Sequence, residues 1–221
     1  MNTPHSLRPV RPAVRVSEIT YGIRDIVVFA HEVAESGKDM MYLNIGNPNE
    51  FDFWTPRHII EATYQAMLEN KTGYAPSTGI DEALDAIGRE AKRNGIESVQ
   101  SIFLGHGGSE VIDNSLSALL DDGDNVLTPC PCYSLYTAIL ARLGAEARMY
   151  YLDEEDGWQP DLDDIASKID SRTKAIVLIN PGNPTGSVCS RKTLETIAQI
   201  AHEKNVVVIS DETYDKLILD D

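Results

Sequence analysis

Two short apolar runs, each breaking into a polar turn, constrain the fold of this chain more than any other feature. Ala175-Ile176-Val177-Leu178-Ile179 leads into Asn180-Pro181-Gly182-Asn183-Pro184-Thr185-Gly186. After a stretch of helical spacing, Val206-Val207-Val208-Ile209 leads into Ser210-Asp211-Glu212-Thr213-Tyr214. Runs this short, rich in β-branched residues and without alternation, read as strands covered on both faces. Joined through a helix, they read as neighbouring parallel strands of an α/β sheet. Open α/β sheets bind ligands just past the carboxyl ends of their strands. Asn183 and Asp211 both stand at such ends, so one ligand can meet both.

The rest of the chain supports that reading. The pattern predicts strands at 101–104, 124–128, 146–151, 174–179 and 205–210, and helices at 109–120, 133–143, 161–169 and 190–204. This βαβ alternation implies a mostly parallel sheet with right-handed crossovers and helices on its faces, an α/β/α arrangement of three layers. Ahead of it, residues 1–16 are rich in Pro and Arg and read as an extended arm. Ile23, Ile26, Val27, Ala30 and Val33 follow helical spacing up to Gly37, which can cap the end. A short strand is expected over Tyr42 to Pro48. Thr55-Pro56 reads as a helix start, Thr as N-cap and Pro at the first helical position. That helix carries Ile59, Ile60, Ala62 and Met67. A polar loop from Lys71 to Gly79 precedes a helix through Leu84, Ile87 and Ala91 that closes near Asn94-Gly95. Composition shifts near Gly95, where the N-terminal portion is expected to give way to the sheet.

Three places in this frame have residues suited to chemistry. Gly105-His106-Gly107-Gly108-Ser109-Glu110 follows a predicted strand and opens a helix. Glycines let backbone amides approach an anion, and a helix N-terminus favours negative charge; a tight strand-to-helix turn would use the same residues, and His106 reads as a loop residue. Tyr133, in Pro131-Cys132-Tyr133-Ser134, stands at the next strand end, where an aromatic ring can stack on a ligand or simply pack on the sheet. Asp211, at the end of the last predicted strand, can face a ligand or cap a turn.

The pairing of NPGNPTG with Asp211-Glu212-Thr213-Tyr214-Asp215-Lys216-Leu217 resembles the fold-type-I aminotransferases of class I and II, which use pyridoxal 5′-phosphate. The resemblance runs from about Tyr42 to the end. It implies that Gly108 and Ser109 hold the cofactor phosphate and that Tyr133 stacks on its ring. Asp211 would face the ring nitrogen, favouring the protonated ring that acts as an electron sink. Asn183 and Tyr214 would bond the ring oxygen. Tyr74, in Gly73-Tyr74-Ala75-Pro76, would reach the phosphate of a partner subunit, which implies a homodimer. The loop at Gly46 would lie over the substrate carboxylate, with Asn183 also on the substrate side. On this reading Asp211 and Tyr214 are the catalytic residues, residues 1–45 are an arm and a small-domain segment, and 46–221 are a cofactor-binding large domain.

The pattern is incomplete. The family holds its cofactor as an imine on a lysine a few dozen residues after the Asp-x-x-Tyr, in a Ser-x-Ser-Lys-like turn. Lys216 follows Asp211 too closely to match, and no other lysine has that context. The carboxylate-gripping arginine and the antiparallel strand that pairs with 101–104 are likewise not found. The chain is therefore expected to be the N-terminal part of a longer enzyme, without independent turnover, and 101–104 to lack a neighbour. Leu43-Asn44-Ile45-Gly46-Asn47-Pro48, Phe51-Asp52-Phe53 and the acidic run Pro160 to Ile165 look like the bacterial alanine-type branch, which trades an amino group between alanine and 2-oxoglutarate. Aspartate, aromatic and succinyl-diaminopimelate aminotransferases, and an inactive fragment, remain alternatives.

Charge narrows the partners. A formal net charge of -16 argues against nucleic acid or an anionic membrane as partner; the resemblance implies a small-molecule amino acid and 2-oxo acid. No apolar run reaches the ~18 residues of a membrane span. Met1 to Val16 lacks the apolar core of a secretory signal. Cys130, Cys132 and Cys189 form no disulfide framework, which fits a reducing cytoplasm. Cys130-Pro131-Cys132 has no His or Cys neighbour in sequence with which to bind a metal.

Overall fold

The computed structural model describes residues 11, 13–19, 22–42 and 46–218. In chain order they form α1 (Gly22–Glu35), α2 (Arg57–Leu68), α3 (Asp81–Arg93), α4 (Gly108–Leu119), β1 (Asn125–Cys130), α5 (Ser134–Leu143), β2 (Glu146–Asp153), β3 (Gln159–Pro160), α6 (Leu162–Lys168), β4 (Thr173–Ile179), α7 (Arg191–Lys204) and β5 (Val207–Asp211). They divide into two compact units. One is Val27–Gly107; the other joins the segment up to Ile26 with Gly108–Asp221.

The second unit contains the sheet, in the order β3-β2-β1-β4-β5. β1, β2, β4 and β5 are parallel, and β3 runs antiparallel to β2. Alternate side chains of the central strands enter two separate cores, as the two-residue period requires. Val126, Ala175, Val177 and Ile179 pack with Leu116 of α4 and Tyr136, Ile139 and Leu140 of α5. Leu127, Ile176 and Leu178 pack on the other face with Ile165 of α6 and Ile197 and Ala201 of α7. The result is the expected three layers. Residues such as Ile176 and Val177 are fully buried, each stabilising by about 1.5–3 kcal/mol through loss of apolar surface to water. The chain leaves β1 toward β2 in one direction and returns to place β4 on the other side. That reversal opens a crevice at the carboxyl ends of β1 and β4, where such sheets take ligands.

Helix ends follow local chemistry. Asp161 caps α6 by accepting from the Asp164 amide at 2.9 Å, and Ser190 caps α7 by accepting from the Thr193 amide at 3.1 Å. Gly37 and Gly95 take positive φ just past α1 and α3, as expected.

Four expectations need correction. Residues 101–104 form no strand: among the described residues none pairs with them, and Leu104 only donates its amide to the Thr78 carbonyl. A strand exists only through its neighbour, however apolar its residues. The α2 start is one residue later than expected, with Pro56 at the N-cap and no side-chain cap; its carbonyl accepts from the Ile59 amide at 2.9 Å. No residue of α2 is buried, so Ile59 and Ile60 face no core among the described residues. Within the expected arm, Val14–Glu18 forms a 3-10 turn. The short strand expected at Tyr42 to Pro48 falls partly outside the described residues, at 43–45, and Pro48–Phe51 is a 3-10 turn.

The entry to β4 rests on a polar knot. The exposed Asp170 carboxylate accepts from Arg148 Nη1 at 2.8 Å, buried Asn125 Nδ2 at 2.9 Å and the Arg172 amide at 2.9 Å. Thr173 Oγ1 donates to Asn125 Oδ1 at 2.7 Å. The Arg148 hydrogen bond first, then those from Asn125 and Arg172, hold the Asp170 carboxyl well below the usual carboxylate range. A depressed carboxyl contributes stability above its ordinary pKa of about 4 and loses it as pH falls through the folded-state value. Asp170→Asn is therefore expected to lower the urea midpoint at pH 7. The gap from the natural chain should narrow as pH drops below about 4. Equal gaps at both ends of that range would contradict the ionic account.

Candidate active site

β4 and β5 pair in parallel with Ile179 opposite Asp211. The Asn180 amide extends the ladder one step, donating to the Asp211 carbonyl at 2.9 Å. The loop after β4 then turns back on itself. Gly182 donates its amide to the Ser187 carbonyl and Gly186 donates to the Gly182 carbonyl, each at 2.8 Å. A Cβ at Gly182 would lie 2.5 Å from Thr185 Oγ1 and 3.0 Å from Ser187 Oγ, so the turn is closed around the missing side chain. Gly186 has φ +71, in the region glycine favours. Asn180 Oδ1 accepts from the Cys189 amide at 2.9 Å and ties the loop to the approach of α7. This accounts for the heptapeptide: its glycines close the turn and its first Asn anchors it. Asn183 is left half-buried at the tip.

Asp211 is half-buried at the end of β5. Its Oδ1 accepts from Thr213 Oγ1 at 2.8 Å and from the Thr213 amide at 3.2 Å. Its Oδ2 accepts from Tyr136 Oη at 3.0 Å. Tyr136 is fully buried, and burial first, then the Asp211 charge, push its phenol far above the usual range. It is therefore a neutral donor at any working pH.

The other expected residues of this unit stand at strand ends and helix starts. Gly108 opens α4, and a Cβ there would lie 3.9 Å from Thr213 Oγ1. The α4 N-terminus thus stands beside the turn that follows Asp211, with Ser109 exposed in its first turn. Tyr133 is half-buried at the N-cap of α5, three residues before Tyr136. Asn183 and Tyr214 line one open cleft of ≈ 250 Å³ with Pro181, Gly182, Pro184, Gly186 and Leu217. Gly46 and Tyr74 belong to the other unit; both are exposed, Tyr74 in the loop between α2 and α3. His106 lies in an exposed bend.

The site offers an anion-accepting helix end and a carboxylate held by three donors. The same unit carries the Tyr133 ring and the cleft lined by Asn183 and Tyr214. Ser134 Oγ is buried just after Tyr133 without a hydrogen-bond partner among the described residues. An anionic, ring-bearing ligand with a protonated nitrogen fits this set. Tyr136 and Thr213 were not anticipated from sequence. The one available signal for Tyr136 was its helical spacing of three from Tyr133, which puts both on one side of α5.

Known proteins resemble this chain in sequence and fold. The family model for aminotransferase class I and II matches residues 38–221. Glutamate-pyruvate aminotransferase AlaA of Escherichia coli K12 is 38% identical over 97% of this chain and 54% of its own length. An alanine aminotransferase of Mycobacterium tuberculosis is 40% identical over 97% of this chain and 51% of its own. The solved alanine aminotransferase of Pyrococcus furiosus superposes with a TM-score of 0.86 at 42% identity, covering 93% of this chain and 53% of that one. The chain spans about half the length of the curated relatives it matches. Among the described residues no helix is long and apolar enough to cross a membrane.

Thiols report on the packing at the α5 entry. Burial, and then the neighbouring Cys130, push the Cys132 thiol up to about 11, while Cys130 is exposed. At pH 8 only about one Cys132 in 1,000 is thiolate, the reactive form. Iodoacetamide at pH 8 is expected to label Cys130 well before Cys132, as read by peptide mass spectrometry. Cys132 should catch up above about pH 10 or on unfolding. Equal labelling at pH 8 would mean the entry to α5 is open.

Proposed function

We propose that this chain, which belongs to the aminotransferase class I and II family, supplies the cofactor-holding part of an aminotransferase that trades an amino group between alanine and 2-oxoglutarate. Members of the family use pyridoxal phosphate. Bound, that cofactor supplies an electron sink for breaking a bond at the substrate α-carbon. The observation that carries the reading is the Asp211 carboxylate, fixed by Tyr136 and Thr213 beside the start of α4.

Each residue then has a task of its own. Asp211 accepts the ring N–H and keeps its charge opposite that proton. The Gly108 amide and the Ser109 hydroxyl take the phosphate, favoured by the unpaired amides and dipole at the helix start. Tyr133 covers one face of the ring and excludes water from it. Asn183 and Tyr214 donate to the ring oxygen, and Asn183 also borders the substrate. In a homodimer, Tyr74 reaches the partner's phosphate and Gly46 lies over the substrate carboxylate. In the whole protein, residues 1–45 serve as arm and small-domain segment and 46–221 as the large domain. A cytoplasmic setting agrees with three free cysteines. No lysine within 1–221 has the sequence context of the one that would hold the cofactor covalently, so these residues alone are proposed to be inactive.

Alanine as donor is supported by similarity to an alanine aminotransferase at 40% identity and a glutamate-pyruvate aminotransferase at 38%. A probable aspartate aminotransferase of Methanocaldococcus jannaschii, 37% identical over 82% of this chain, keeps aspartate as the second reading. In the whole protein loaded with pyridoxal phosphate, alanine with 2-oxoglutarate is expected to give pyruvate faster than aspartate gives oxaloacetate. Asp211→Asn should lower kcat/KM by roughly 100-fold or more, about 3 kcal/mol of lost charge stabilisation. Purified 1–221 should release no pyruvate above background. Faster aspartate turnover would move the substrate reading, and full activity in the Asp211→Asn protein would remove the site.

A further inference from the structure

We propose that Gln159 is a positioning residue for Asn183: its carboxamide grips the limb by which the 180–186 turn returns to α7, and so fixes where the Asn183 side chain stands at the cleft it shares with Tyr214. The inference rests on the role given to Asn183 under Proposed function and adds a residue that it does not use.

The geometry carries it. Residues 186–190 belong to no helix or strand, so their backbone groups need partners from elsewhere. Gln159, half-buried on β3, supplies them. Its Nε2 donates to the Val188 carbonyl at 3.0 Å, and its Oε1 accepts from the Ser190 amide at 3.0 Å and from Thr193 Oγ1 at 3.2 Å. Cys189, between Val188 and Ser190, turns its amide to Asn180 Oδ1 at 2.9 Å. The limb is thus held by two carboxamides, one from β3 and one from the end of β4. Ser187, the next residue back, accepts from the Gly182 amide at 2.8 Å, and Asn183 follows Gly182 directly. The path from Gln159 to Asn183 is therefore short and hydrogen-bonded throughout. A carboxamide suits this place because it offers a donor and an acceptor on one plane; a carboxylate cannot donate and an ammonium cannot accept. Trp158 braces the same turn. With Gly182, Asn183, Thr185, Ser187 and Cys189 it lines a cavity of ≈ 10 Å³, about the least that holds one water. Gly182 and Asn183 border both this cavity and the open cleft, so packing behind them bears on what they present to the cleft. Trp158 holds φ +64, which a bulky side chain rarely adopts, and its amide donates to the Asp153 carbonyl at 2.6 Å. Strain of this kind persists only where the surroundings fix it, and it clusters at ligand clamps. Here it brings Trp158 and Gln159 together against the turn.

The test uses the cofactor-loaded whole protein and reads the pH midpoint of the bound pyridoxal phosphate's visible absorption. A donor on the ring oxygen favours its charged form, so loss of that donor raises the midpoint. Asn183→Ala is expected to raise it. Gln159→Met, of similar shape but without the hydrogen bonds to Val188, Ser190 and Thr193, is expected to raise it too, by less. In the Asn183→Ala background the same Gln159→Met change is expected to add nothing, because it acts through Asn183. A residue that merely ties β3 to α7 would lower the melting temperature and leave the midpoint alone, or shift it equally in both backgrounds; either result overturns the inference. Should Gln159→Met not fold, Gln159→Asn, one methylene too short to reach both Val188 and Ser190, must give the same non-additive rise; its absence overturns the inference equally. A shift with Asn183→Ala and none with either Gln159 variant sinks this inference alone. If Asn183→Ala itself leaves the midpoint unmoved, the role of Asn183 under Proposed function falls, and this inference with it.

Discussion

The pairing of β4 with β5 is the constraint on which the site depends. Ile179 and Asp211 lie opposite each other, and the ladder continues to Asn180. That single register places two turns side by side. Because side chains alternate along a strand, a slip of one residue would send Asp211 to the opposite face of the sheet. β4 is held by packing on both faces, with Val177 and Ile179 in one core and Ile176 and Leu178 in the other, and β5 is set against it by backbone pairing that continues to the Asn180 amide. The energy that fixes an acid group in space thus comes mostly from apolar side chains that never meet a ligand.

Given the register, the remaining problem is electrostatic. A half-buried carboxylate loses part of its hydration and must be compensated by hydrogen bonds. Asp211 has donors from two directions: Thr213, two residues on in the same turn, and Tyr136, across the core from α5. The local donor sets the turn, and the distant one ties the turn to a helix on another element. The nearby start of α4 adds the favourable end of a helix dipole. Negative charge is therefore tolerated at this corner of an otherwise acidic chain.

How much of this was legible in sequence follows from how local each cause is. The cores of β1, β2, β4 and β5 were legible because apolar, β-branched runs of that length have few other uses, and their ends fell within one or two residues of expectation. Helix ends with Ser190 or Asp161 were legible because a cap is a contact between near neighbours. Residues 101–104 looked like a strand by composition, yet a strand is a relation between segments, and the partner cannot be read from one of them. The two-residue β3 exists only because the chain after β2 doubles back through a turn at Asp156 to Trp158, with Trp158 at φ +64. No apolar run announces it. Within the site, Asp211, Asn183, Tyr133 and Gly108 each sit at a strand end or helix start, a position that sequence marks. Tyr136 does not. It lies inside α5, where its pattern is that of any buried helix residue, and its bond to Asp211 spans 75 residues.

That contrast reflects how the two kinds of residue arise. Groups that face a ligand come from loops after strands, so their spacing along the chain follows the βαβ period and can be recognised. Groups that hold them from behind come from the core side of helices, where the requirement is a shape with one polar atom at the right height. Tyr136 meets the apolar demand of its core with the ring and the polar demand of Asp211 with a single hydroxyl. Leucine would satisfy the first and leave the buried side of the carboxylate without a donor, at a cost of about 1–3 kcal/mol. A charged residue would satisfy the second and be expensive to bury among Val177, Ile179 and Leu140. Tyrosine satisfies both, and it does so with a group that stays neutral.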